Sequence, residues 1–142
     1  MNYSKEEIEE QIKKLEKEVG YDTRDYTIEY IVDKFKKDEF IIPKYQRNFI
    51  WNDKYRSAFI ESIFLGLPIP FMFFCLRDDG IFEIIDGAQR VQTLVAFVKE
   101  EYVLKRLEKL DKLNGITFYE LDESRRRKFV NKTIRIVILN EN

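Results

Sequence analysis

The chain has 142 residues, 44% apolar and 15% aromatic, enough for one domain with a core of its own and no disulfide staples. With no histidine and a single cysteine, it excludes His-dependent triads, histidine-metal nucleases and structural zinc within these residues, and it points to a reducing compartment. The net charge of −1 hides a gradient: residues 1–29 carry nine acids against five bases, and residues 105–135 carry ten bases against five acids.

The whole chain is therefore no bulk polyanion binder, although its C-terminal third can face one; a solvated helix face is the plainer account of Arg125-Arg126-Arg127-Lys128. No stretch reaches the ~18 consecutive apolar residues of a membrane span, and the first residues are acidic and polar, unlike a secretory signal. A cytoplasmic protein without a membrane partner is the expectation.

Ser4 with Glu7 forms a capping box, and it opens a helix with the stripe Ile8, Ile12, Leu15 and Val19, closed by Gly20. So charged a helix is expected to pack as a flap or lie at an interface. Thr27 starts a second helix carrying Ile28, Ile31, Val32 and Phe35, and Phe40-Ile41-Ile42 is a short strand stopped by Pro43. A loop dense in polar and aromatic groups follows, from Pro43 to Trp51. Asn52 or Asp53 caps the third helix, with Tyr55, Phe59, Ile60 and Ile63 inward and Gly66 as its stop.

Pro68 and Pro70 bracket a turn into a strand from Phe71 to Leu76, in which Cys75 reads as core. The turn Arg77-Asp78-Asp79-Gly80 joins it to a strand from Ile81 to Ile85, a predicted hairpin. A fourth helix runs from about Gln89 to Glu101 with Val91, Leu94, Val95 and Val98 on one face. Asn114-Gly115 marks a turn, Leu121-Asp122 opens a short basic helix, and Thr133 to Leu139 is the last strand. Helices and strands alternate without a regular βαβ period, so the fold class is α+β, a small mixed sheet flanked by helices.

Two segments are candidates for chemistry. An apolar strand running into Asp86-Gly87 and then a helix leaves backbone N–H groups and the positive end of the helix dipole at the turn, where a phosphate fits. Asp86 offers a metal or hydroxyl contact and Arg90 a charged fork; an Asp that merely caps a helix is the alternative. Tyr45-Gln46-Arg47 follows another strand. If the two strands are neighbours in the same sense, both loops open on one edge of the sheet, where ligands bind in α/β layers. Arg47, Arg90, Gln46, Gln89, Asp86 and Tyr45 would then converge, a set that suits a nucleotide with Mg²⁺ and suits acyl transfer poorly. Taken singly, each has a quieter reading: Tyr45 and Trp51 as lids on the core, Arg47 paired with Asp53 or Glu61, Gln89 as an ordinary first-turn residue.

The spaced residues Pro43-x-Tyr45-Gln46-Arg47, Trp51, Glu61-Ser62-Ile63, Gly66-x-Pro68-Ile69-Pro70 and Asp86-Gly87-x-Gln89-Arg90 closely resemble the DUF262 domain. So do Lys112-Leu113-Asn114-Gly115-x-Thr117-Phe118-x-x-Leu121 and Ile134-Arg135-Ile136-Val137-Ile138. DUF262 is the GmrS-like N-terminal half of modification-dependent restriction and phage-defence proteins. The resemblance implies a ParB/sulfiredoxin-like fold over residues 27–142, after an N-terminal charged helix in residues 1–26. It also implies binding, with possible hydrolysis, of a nucleoside triphosphate with Mg²⁺, coupled to a nuclease domain or subunit elsewhere.

Carried over residue by residue, Asp86, Gln89 and Arg90 are the catalytic candidates, with Asp86 the magnesium candidate. Tyr45, Gln46, Arg47, Gly87, Ala88, Arg90 and Thr93 are the nucleotide- or phosphate-binding candidates. The family's first glutamine is Ala88 here, which puts turnover in doubt and leaves binding. Alanine in the slot of the sulfiredoxin cysteine excludes sulfiredoxin activity, whereas Gly87 and Arg90 keep the Gly-x-x-Arg of the ParB branch. No histidine-containing nuclease segment follows, so a chain shorter than full-length members, without nuclease activity of its own, is the expectation. A DNA-binding or modified-DNA-sensing module without catalysis is the alternative.

Overall fold

The computed structural model describes residues 2–18, 20–46 and 50–140. The capping box forms as the sequence predicts: Ser4 and Glu7 exchange backbone-to-side-chain hydrogen bonds of 3.1 Å each and open α1, Lys5–Glu18. β1 follows over Tyr21–Thr27, and the Thr27 hydroxyl accepts from the Tyr30 N–H at 3.0 Å to cap α2, Ile28–Lys36. β2 is the two-residue strand Phe40–Ile41, and a 3-10 turn over Lys44–Gln46 leads away from it. Asn52, rather than Asp53, caps α3, Asp53–Phe64.

The expected hairpin is β3, Met72–Leu76, with β4, Phe82–Asp86. After it come α4, Ala88–Lys99, α5, Glu123–Val130, and β5, Thr133–Asn140. The mixed sheet runs β1-β5-β3-β4-β2, which together with five helices is the expected α+β architecture. Among the described residues no helix is long and apolar enough to cross a membrane.

Alternation along the strands decides which face is covered. Met72 and Phe74, Ile84, and Ile134, Ile136 and Ile138 are buried against α2, α3, α4 and α5. Phe97 of α4 lies at the centre of that layer, its ring edge-on to Phe64, Phe118 and Phe129 at centroid distances of 6.1, 5.5 and 5.3 Å. On the opposite face Phe73, Ile85 and Arg135 are exposed, and that side is open among the described residues.

One element is unannounced by the sequence, and two expectations differ from the structure. β1 has no apolar alternation to announce it; it is an edge strand with exposed sides, held by a seven-residue antiparallel register on β5. Tyr55 is exposed rather than inward, because the first turn of α3 overhangs solvent before Phe59, Ile60 and Ile63 reach the core. α1 is not a flap on this domain: every side chain from Asn2 to Glu16 is exposed. Val19 of its predicted stripe lies outside the described residues.

Candidate functional site

β2 and β4 are parallel neighbours, with Phe40 opposite Phe82 and Ile41 opposite Glu83. Both chains therefore leave the sheet at the same edge, and the turn at Lys44–Gln46 meets the turn at Asp86-Gly87. Side-chain amides join the two segments. The Gln46 Nε2 donates to the Ile85 carbonyl at 3.1 Å, and the Trp51 backbone N–H donates to Oε1 of Gln89 at 2.8 Å. Between them is a hollow of about 410 Å³. Its walls are Tyr45, Gln46 and Trp51 on one side and the continuous run Asp86 to Arg90 on the other.

Gly87 makes this turn possible. Its φ is +117°, a left-handed value that a side chain opposes, and an added Cβ would lie 2.8 Å from Cγ of Met72. Gly87 is the N-cap of α4 and its carbonyl accepts from the Val91 N–H at 2.9 Å; no side chain caps the helix. The reading of Asp86 as the helix cap is therefore excluded. Intrahelical bonding does not by itself satisfy the N–H groups of a first helical turn, and with the helix dipole such a turn favours an anion beside it.

Arg90 is nine-tenths covered, at 11% side-chain exposure, and is not the open fork the sequence suggests. One guanidinium nitrogen donates to the Pro70 carbonyl at 2.5 Å, and the other is 3.5 Å from Oδ2 of Asp86. Burial lowers the Arg90 pKa from its ordinary value, and the Asp86 carboxylate opposes that shift. Asp86 itself is exposed, with only this long contact to Arg90 among the described residues. Groups of three or more metal-ligating side chains are absent among the described residues. One open carboxylate does not make a protein cage, but it fits Mg²⁺, which takes one or two carboxylates together with water and phosphate oxygens.

The remaining candidates divide. Tyr45, 76% exposed, is no lid on the core; Trp51 is half-buried, its ring 5.9 Å from Phe59, and it still borders the hollow. The Ala88 methyl is buried at the hollow's floor. Thr93 is buried one turn further along α4, where its hydroxyl donates to the Gln89 carbonyl at 2.7 Å and accepts from Arg56, so it does not line the hollow. Arg47 lies outside the described residues; Asp53 and Glu61, its two suggested partners, meet Tyr102 and the N–H groups of Lys109 and Leu110. Met72 and the Pro70 carbonyl were not legible as site elements. The Pro68-x-Pro70 spacing, which holds the chain extended beside the turn, was the only signal of the latter.

A larger hollow of about 680 Å³ lies between α2, α4 and α5. There Arg127 is paired with Glu123, and Arg126 is spent on the Tyr119 and Leu121 carbonyls, so it converges less chemistry than the smaller one.

An α+β domain with a polar hollow at the shared edge of two parallel strands is the class these features define. The family model described as the GmrSD restriction endonuclease, N-terminal domain, matches residues 28–142, and the chain belongs to that family. The match starts at the first residue of α2 and takes in both segments of the hollow. No curated protein and no solved structure matches the chain. Membership gives the domain a defence-related role in restriction.

Proposed function

We propose that the hollow binds a nucleoside triphosphate and that the domain regulates a restriction activity through it. The observation that carries this reading is the parallel pairing of β2 with β4, which joins the Tyr45–Gln46 segment to the glycine-opened start of α4. The triphosphate would meet the N–H groups of the first turn of α4 and the guanidinium of Arg90, with Tyr45 and Trp51 beside it. Asp86 would hold magnesium brought with the nucleotide, and the ion would supply neutralisation of phosphate charge.

Binding is better supported than turnover. Ala88 has no amide to orient a water, and Oε1 of Gln89 already accepts from the Trp51 N–H. Slow hydrolysis follows from both, with Asp86, Gln89 and Arg90 as the residues it would use. The ParB/sulfiredoxin-like assignment of the fold belongs to this same reading, as do a nuclease partner and residence in the cytoplasm.

Calorimetry with Mg²⁺ and each of the common nucleoside triphosphates tests it, on the wild type and Arg90→Ala. Loss of a charged contact should weaken binding by about 2–4 kcal/mol. Equal affinity in the two proteins, or no binding to the wild type, overturns the reading. A second reading, contact with DNA phosphates, draws on the exposed Arg125, Arg127 and Lys128 of α5. It requires duplex affinity that falls linearly with the logarithm of salt concentration.

A further inference from the structure

We propose that two copies of this chain pair by exchanging α1, the apolar stripe of each helix lying on the open sheet face of the other copy. Two apolar surfaces are exposed among the described residues. On α1, Ile8, Ile12 and Leu15 follow each other at intervals of four and three residues and are 47–50% exposed. On the open side of the sheet, Phe71, Phe73 and Ile85 are 38–49% exposed. An amphipathic helix and a one-sided sheet each need a layer against them, and a helix on a sheet face satisfies both. α1 has 14 residues, a length at which an isolated helix is marginal in water and depends on packing of its apolar face.

The areas match a stable pair. At about 150–250 Å² for a fully exposed large side chain, these six residues present roughly 500 Å² of apolar surface per copy. Interfaces are a little over half apolar, so this corresponds to roughly 900 Å² per copy, close to the ~800 Å² that specific pairs bury on each partner. The charge within the open face is already matched: Arg135 holds both carboxylate oxygens of Asp25 at 2.9 and 3.2 Å, and its guanidinium lies 5.7 Å from the Phe71 ring centre. Covering Arg135 therefore leaves no lone charge at that position. Because each copy carries both halves, the exchange closes on itself with two-fold symmetry. Pairing α1 with α1 instead would leave both sheet faces bare and bring Glu9 and Glu16 of the two helices side by side.

Sedimentation equilibrium on the full chain, over a concentration series of about 1–200 μM, tests the exchange. The wild type is expected to be a dimer. Ile12→Glu, on the helix, and Phe73→Glu, on the sheet, are each expected to raise the dissociation constant at least ~100-fold. An equimolar mixture of the two variants is expected to form a heterodimer through the one contact left intact, which neither variant forms alone. Both positions are exposed, so each variant is expected to fold, with a melting temperature independent of protein concentration where that of the wild type rises with it; Leu15→Glu and Ile85→Glu serve in place of a variant that fails to fold. A monomeric wild type across the series overturns the proposal, whether α1 then folds onto its own sheet or serves another protein. A Phe73→Glu protein that stays dimeric also overturns it, in favour of helix-to-helix pairing.

Discussion

The backbone N–H of Trp51 donates to Oε1 of Gln89 at 2.8 Å, and this bond fastens the segment ahead of α3 to the first turn of α4. Gln89→Leu keeps the bulk but leaves a half-buried N–H without that acceptor, which should cost about 1–2 kcal/mol. Gln89→Glu keeps an acceptor and should stay closer to the wild type. Urea titrations give the stabilities. Trp51 is the chain's single tryptophan, so its emission reports the local change directly: red-shifted in Gln89→Leu, little altered in Gln89→Glu.

Gly87→Ala should be among the most damaging single substitutions in the domain. The methyl meets Cγ and Sδ of Met72 at 2.8 and 3.0 Å, and the backbone sits at φ +117°. Strain and overpacking each cost on the order of 1–3 kcal/mol. Adding Met72→Ala removes the collision but not the strained dihedral, and it opens a cavity of its own. Denaturation of the two single variants and the double variant should therefore give a coupling energy that is favourable yet falls short of full rescue.

The residues whose signals are local were legible in the sequence. Thr27 and Asn52 cap the helices expected of them, and Arg77 to Gly80 closes the hairpin. The site was half legible. Tyr45, Gln46 and the Asp86–Arg90 run do line one hollow, because the short strands before them are parallel, a condition the sequence could pose but not decide. What Arg90 touches was not legible: the Pro70 carbonyl is 20 residues away, and no periodicity records such a contact. β1 was missed for a similar reason, since a polar edge strand takes its conformation from the ladder beside it. Thr93, one of the binding candidates, is turned away from the hollow by the helix, with its hydroxyl on the carbonyl four residues earlier.

Ala88→Gln tests what the departure from the family motif costs. The side chain would start at the buried floor of the hollow, so a stability loss of about 1–3 kcal/mol is expected from overpacking. If the domain binds nucleoside triphosphates, the restored amide should raise kcat for hydrolysis while leaving the dissociation constant within a few-fold. Phosphate-release assays beside calorimetry separate the two effects. An unchanged kcat assigns this position to packing alone.

Asp53 and Tyr102 make the stability of the N-terminal end of α3 depend on pH. The Tyr102 hydroxyl donates to Oδ1 of Asp53 at 2.7 Å, which is the main reason the carboxyl pKa lies below its ordinary value, with Lys105 adding to the shift. A depressed carboxyl pKa stabilises the folded state at pH values above the unfolded pKa, and that contribution disappears as pH falls through the folded one. The phenol shifts upward, first by burial and then by the same hydrogen bond, so its contribution is present at neutral pH and lost as pH rises past about 10. Tyr102→Phe should therefore flatten stability against pH at both ends, below about pH 4 and above about pH 10. Asp53→Asn should remove its own acid limb and lessen the alkaline one. Urea midpoints across the pH range distinguish these profiles; a Tyr102→Phe protein with the wild-type slope at both extremes would mean that the bond does not couple the two titrations.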